Sequence, residues 1–306
     1  MAEQERAELR PFKIEIPQVE VDELHDRLGR TRWPDEPVAG DWSRGVPLDY
    51  LQGLVRHWHT SYDWRKNQAL LNEFPQFTTE IDGQNIHFLH VRSPESNALP
   101  LVLLHSWPGS IVEFVRLIGP LTDPGSHGGD PGDAFDVVVP SIPGFAFSKP
   151  VRETGWTTGR AARALVELVH RLGYERYGIH GGDIGAGVAA GMSPVDPERV
   201  AGMHMTSDPQ SAVSFAMFSG DPVANPALTE AEKERVERMK QISSEGLGYL
   251  QIQSTRPQTL AYALTDSPAG QLAWIAEKFR EWTEPAAELP EDAVDLDQLL
   301  TNVSLY

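Results

Sequence analysis

In the stretch "LDYLQGLVRHWHTSYDW", the apolar residues Leu51, Leu54, Val55, Trp58 and Tyr62 recur at helical spacing and form one face of a helix. A shorter helix is expected over "VDELHDRLGRTRW", ended by Pro34 and Pro37. No strand signal interrupts residues 1–75, so this helical segment is expected to wrap a later core. From about Phe77 the pattern changes. "FTTEIDGQNIHFLHVRS" predicts two strands around a turn at Asp82-Gly83. "LPLVLLHSWPGS" and "FDVVVPSIPGF" are continuous apolar runs ending in turn residues, as strands buried on both faces would be. "TTGRAARALVELVHRLGY" has helical spacing and closes at Gly173. "RYGIHGGD", "IGAGVAAGMS" and "RVAGMHMTS" then predict a strand, a small-residue helix and a strand.

Buried strands alternating with helices define an α/β core over 76–207, a mostly parallel sheet covered on both faces. After it, "LTEAEKERVERMKQIS" opens with Thr229 and Glu232 in capping-box spacing, and "TLAYALTDSPAGQLAWIAEKFREWT" predicts two further helices. Residues 208–297 are therefore expected to form a helical lid over the sheet's ligand-binding edge, with an acidic linker from Glu284 to Asp297. "LLTNVSLY" begins a return to the core over 298–306.

Composition narrows the partners. The 306 residues carry 26 basic and 44 acidic side chains, a net charge of −18, which argues against nucleic acid or an anionic membrane. The absence of cysteine excludes disulfides, thiol nucleophiles and Cys-ligated metals. The opening "MAEQERAELRPFKIEIP" lacks the apolar run of a signal peptide, and no segment approaches the roughly 20 apolar residues of a membrane span. A cytoplasmic protein is the expectation. The oligomeric state is open, a homodimer included.

The candidate chemistry centres on Asp183. Gly181-Gly182-Asp183-Ile184-Gly185 matches small-x-nucleophile-x-small, the strand-to-helix turn that presents a nucleophile at a sheet's carboxyl edge. The helix N-terminus favours an anion there. The plain alternative is an N-capping aspartate on a glycine-rich connection. A carboxylate attacking an acyl carbon would give a reactive anhydride. Attack on a saturated carbon instead displaces an alkoxide or halide and leaves an ordinary ester, which water must then cleave at the aspartate's own carbonyl. An oxyanion hole should therefore serve the enzyme's carbonyl. "HSWPGS" (105–110), after the first buried strand of the parallel core, can aim the backbone N–H of Trp107 at the same oxyanion as that of Ile184, or can be an ordinary Pro-Gly turn.

Taken together, "HSWPGS", "SIPGFAFSKP", "HGGDIGA" and "GYLQIQSTRPQTLAYALTDSPAGQLAWIAEKFREWT" resemble the microsomal-type epoxide hydrolase family, in order and over nearly the whole chain. The resemblance implies an α/β-hydrolase fold with a helical N-terminal segment and a lid. It implies hydrolysis of a small apolar epoxide to a vicinal diol, without metal or organic cofactor. Asp183 would be the nucleophile and Tyr249 the lid proton donor. The N–H groups of Trp107 and Ile184 would form the oxyanion hole, and Pro108 and Phe145 would line the substrate pocket.

Two residues depart from the pattern. Ile184 replaces the usual tryptophan after the aspartate, which tilts the choice away from a haloalkane dehalogenase, where that indole donates to the halide. Ser106 stands where the turn usually has glycine. The family's general-base histidine, its acidic partner and a second tyrosine are not found within these residues. The ten histidines offer no substitute, so those groups are expected after Tyr306, and a polypeptide ending there should alkylate once and stall. A dehalogenase and a catalytically inactive binder of apolar ligands are the alternatives.

Overall fold

Asp82 and Gly83 both take positive φ, 53° and 71°, the backbone that closes a tight hairpin between right-twisted strands. They join β2 (Gln76–Ile81) to β3 (Gln84–Val91). The computed structural model describes residues 8–35, 40–206, 229, 233, 246–283 and 287–306. The sheet continues through β4 (Leu99–Leu104), β5 (Phe135–Pro140), β6 (Tyr177–Gly181) and β7 (Val200–Met205), with a short β1 (Arg10–Phe12) at the far edge. The spatial order is β1-β2-β3-β5-β4-β6-β7. The β5-β4-β6-β7 part is parallel and the rest antiparallel, a mostly parallel sheet with β4 and β6 inside it.

Alternate residues of the central strands feed two cores, as a period of two requires. Leu103, Val137 and Val139 point to one side; Val102, Leu104 and Val138 point to the other. The second side is covered by α5 (Thr158–Arg171) and α6 (Asp183–Val195), whose small residues allow close packing. The first is covered by α2 (Leu48–Thr60), α3 (Trp64–Leu71) and α4 (Val115–Thr122), reached from α1 (Gln18–Gly29). Three helices follow, α7 (Gly248–Thr255), α8 (Pro257–Asp266) and α9 (Pro268–Trp282), and α10 (Leu296–Ser304) packs on the core. Among the described residues no helix is long and apolar enough to cross a membrane.

Several local expectations need correction. The N-terminal segment does contain a strand: β1 is three residues of edge pairing against β2, too short for any alternation to show. The first helix ends at Gly29, well before Pro34, with Arg30 as its cap. The amphipathic run over 48–64 is broken at Ser61, and Asp63 starts a separate helix by accepting from the N–H groups of Arg65 and Lys66. The acidic stretch is not linker throughout, because Asp295 caps α10 and Asp297 lies within it. The lid helix expected from Thr229 lies outside the described residues, apart from Thr229 and Lys233.

Candidate active site

The parallel strands end at one edge of the sheet, where β6 passes through Gly182 into α6. Asp183 opens that helix at φ 48°, a left-handed backbone that a non-glycine residue adopts only when its surroundings hold it there. The glycines around it explain how. A β-carbon on Gly181 would lie 2.4 Å from the Gly185 carbonyl oxygen, and one on Gly185 would lie 2.3 Å from that of Leu104. One on Gly182 would meet Thr206 Oγ1 at 2.5 Å. The strand and the helix can approach this closely only with glycine at 181 and 185, whereas at 182 the Thr206 hydroxyl would have to turn aside. The Asp183 carboxyl is left exposed at the sheet's edge.

Facing it is the turn after β4. The Trp107 N–H donates to Asp183 Oδ2 at 3.1 Å. The turn, with a cis Trp107-Pro108 bond, is tied on every side. Asn302 of α10 donates to the Pro108 carbonyl at 2.6 Å and accepts from Ser110 Oγ at 2.7 Å. Tyr306 donates its hydroxyl to the Gly109 carbonyl at 2.7 Å. Ser106 donates both its N–H and its hydroxyl to Glu113 Oε1, at 3.2 and 3.0 Å. His105 is fully buried; its Nε2 accepts from the Ile142 N–H at 3.1 Å, which leaves Nδ1 to donate to the Ser106 carbonyl.

Burial pushes His105 down to about 4 and His87, also enclosed, down to about 3. Both are neutral in the folded protein near neutral pH, so His105 serves as a strut. A histidine depressed on folding contributes stability that is present above its ordinary value near 6.5 and is lost on acidification through that value toward the folded one. Chemical denaturation from pH ~6.5 down to ~4 should therefore show falling stability, with a shallower slope in His105→Gln.

Helices α7 and α9 meet the turn through aromatic rings. Tyr249 of α7 stacks on the Trp107 indole, with centroids 5.0 Å apart and planes within 7°. Trp282, at the end of α9, sits 5.2 Å from the same phenol ring. The buried Lys278 ammonium lies 4.9 Å over the Tyr249 ring, held by Glu277 and by Glu281 at 2.8 Å. Burial, with the charges of Asp183 and Glu281, pushes the Tyr249 hydroxyl up to about 12, so it carries its proton at neutral pH.

Asp183, Trp107 and Tyr249 thus come together. Ile184 follows Asp183 into α6 and packs its side chain against the core under α5 and α6. Pro108 is buried in the turn, and Phe145 sets its ring edge-on to His105 and Tyr306, at 5.1 and 6.2 Å. Each of the other histidines is engaged elsewhere. His25 packs on His59, His57 bonds Asp297, and His127 bonds the Asp123 carbonyl. His90 bonds Tyr174 and His170 bonds Asp196. His87 bonds Gln76 and Ser141, and His180 pairs with His204 on β6 and β7. His204 is exposed. Among the described residues no group of three or more His, Asp or Glu side chains is arranged to hold a metal. Sequence reasoning missed Glu113, Asn302, Lys278 and Tyr306. Only Glu113 carried a signal, as a lone acid in the apolar run "IVEF".

A mostly parallel sheet with a strained acid at a strand-to-helix turn and a facing N–H defines the α/β-hydrolase class. Matches to known proteins agree: residues 9–114 match the model for the epoxide hydrolase N terminus, and residues 100–228 match that for the alpha/beta hydrolase fold. A provisionally named epoxide hydrolase of Stigmatella aurantiaca is 47% identical over 296 residues, covering 97% of this chain and 65% of that protein. Epoxide hydrolase 1 of Sus scrofa is 35% identical over 314 residues, covering 97% of this chain and 69% of that protein. The crystal structure of juvenile hormone epoxide hydrolase from Bombyx mori superposes with a TM-score of 0.85 at 33% identity, over 98% of this chain and 73% of that one. The chain belongs to the epoxide hydrolase family. It spans about two thirds of the length of these relatives, 65% and 69% in the two sequence matches.

Proposed function

We propose that the chain carries the alkylating half-site of an epoxide hydrolase. The observation that carries this reading is the Trp107 N–H on Asp183 Oδ2, beneath a backbone turn that only a specialised position tolerates. An oxyanion donor already aimed at the aspartate's own carboxyl suits a reaction in which that carboxyl becomes the ester. In the first step an Asp183 oxygen bonds to an epoxide carbon, the carbon–oxygen bond of the ring breaks, and the Tyr249 hydroxyl gives its proton to the departing alkoxide. In the second, water attacks the ester at the Asp183 carbonyl, and the Trp107 and Ile184 N–H groups would receive the developing oxyanion. Its collapse breaks the acyl–oxygen bond, releasing the diol and restoring the Asp183 carboxylate, while a proton from the water replaces the one Tyr249 gave. Asp183, Trp107 and Tyr249 support the first step; ester hydrolysis is proposed for the protein as a whole.

An apolar substrate suits the surroundings. A cavity of about 510 Å³ next to Tyr306, whose lining does not include Asp183, Trp107 or Tyr249, is bounded by Leu24, Trp58, Trp64, Phe147 and Leu264 together with Glu20, Lys149 and Gln271. Parallel incubations with an aryl-substituted epoxide and a chloroalkane test the reading. An intact-mass gain equal to the whole epoxide is expected, and chloride release without any epoxide adduct would favour a dehalogenase instead. Tyr249→Phe keeps the ring stack but removes the proton, so single-turnover alkylation should fall by roughly 10²-fold or more. An unchanged rate would remove Tyr249 from the chemistry.

A further inference from the structure

Glu113 is a half-buried acid that the reaction above does not use. It lies on the single 3-10 turn Ile111–Phe114, between the buried Val112 and Phe114, and its carboxyl folds back beneath the 105–110 turn. Two donors from Ser106 converge on one of its oxygens. That oxygen occupies space which only glycine leaves open: a β-carbon on Gly109 would lie 1.4 Å from Glu113 Oε1. The hydroxyl of Ser106, one of the two departures from the family pattern, is half of this clamp.

Resting on the functional reading above, we propose that Glu113 is a positioning residue. It sets the turn so that the Trp107 N–H meets Asp183, and its negative charge favours the neutral ester over the free Asp183 carboxylate. The second part follows from charge alone: alkylation removes the charge on Asp183 and so relieves repulsion from an ionised Glu113. When the oxyanion forms on the ester carbonyl, the balance reverses, and a protonated Glu113 is the better neighbour. Among the described residues, the titratable groups around it are Asp183 from α6, the Tyr306 phenol just after α10 and His105 just after β4. His180, on β6, packs on the adjacent Phe114. Burial keeps the phenol protonated and His105 neutral, so Asp183 is the charged neighbour. Burial, reinforced by Asp183, pushes Glu113 up to about 7 against the lowering effect of Ser106, which puts the change of state near neutral pH.

Glu113→Gln keeps an acceptor for Ser106 and removes the charge. The struts from Asn302, Tyr306 and His105 should preserve the turn's fold. Gly109→Ala displaces the carboxyl without deleting it. Two measurements apply to the wild type and both variants. The Ser106 amide shift, followed by NMR without substrate between about pH 5 and 9, should titrate near neutrality in the wild type and stay flat in Glu113→Gln. Single-turnover alkylation by an aryl epoxide should rise through the same pH in the wild type. In both variants it should fall about tenfold and lose that rise. A Ser106 amide that does not titrate, or a Glu113→Gln protein with wild-type rate and profile, overturns the proposal. A wild type that forms no adduct refutes the functional reading and the charge effect with it, while the amide titration still decides Glu113's hold on the turn.

Discussion

Replacing Asp183 with asparagine is expected to abolish covalent capture of an epoxide, lowering the single-turnover rate by at least ~10⁴-fold. The amide keeps the shape of the side chain and an oxygen for the Trp107 N–H, now at 3.1 Å from Oδ2, so the elbow has no reason to rearrange. What it loses is the only oxygen nucleophile that the turn presents. Losses from the surrounding groups should be smaller, because in the proposed reaction Trp107, Tyr249 and Glu113 would each only assist a bond that Asp183 makes. Rapid-quench measurement with mass detection checks this. A variant that retains adduct formation at even a hundredth of the wild-type rate would mean that another residue is alkylated.

The second large effect is on folding. Gly185→Ala should destabilise the protein by more than about 4 kcal/mol or prevent soluble expression. Its β-carbon would sit 2.3 Å from the Leu104 carbonyl oxygen and 2.8 Å from that of His105, both backbone atoms at the end of β4. Neither can retreat, because β4 is hydrogen-bonded on both sides, to β5 and β6. Gly187, two residues along α6, is the internal control. There, among the described residues, a β-carbon would meet only the Thr158 side chain, its methyl at 3.4 Å, and alanine's better helix propensity offsets the contact. Gly187→Ala should therefore lie within ~1 kcal/mol of the wild type. Equal midpoints for the two variants in urea unfolding would refute the packing argument.

The fold was legible where a segment's environment is uniform. β4 and β5 are apolar on both faces and read as buried strands without ambiguity. α5 and its Gly173 stop, at φ 83°, follow directly from spacing and cap chemistry. Boundaries set by single side chains were harder, as the Asp63 cap between α2 and α3 shows. The strand β1 could not be read, since three edge residues have no period. In the site, the glycine frame of Asp183 and the turn bearing Trp107 were visible because tight backbone geometry restricts residue type. The network beneath them was not. Asn302 and Tyr306 reach the turn from about 190 residues downstream, 194 between Asn302 and Pro108 and 197 between Tyr306 and Gly109. Nothing in "LLTNVSLY" marks a polar contact with a distant loop. Lys278 is similar: buried over Tyr249 and Trp282, it reads in sequence as one more charge on an amphipathic helix.

The central claim is that the Asp183 carboxylate bonds to a saturated carbon of an epoxide. Its most direct test is to mix the chain with an aryl-substituted epoxide, quench, digest and sequence the fragment containing "HGGDIGAG" by mass spectrometry. One added epoxide mass on Asp183 is expected, removable by hydroxylamine as an ester must be. An unmodified Asp183, with the adduct on another residue, would contradict it.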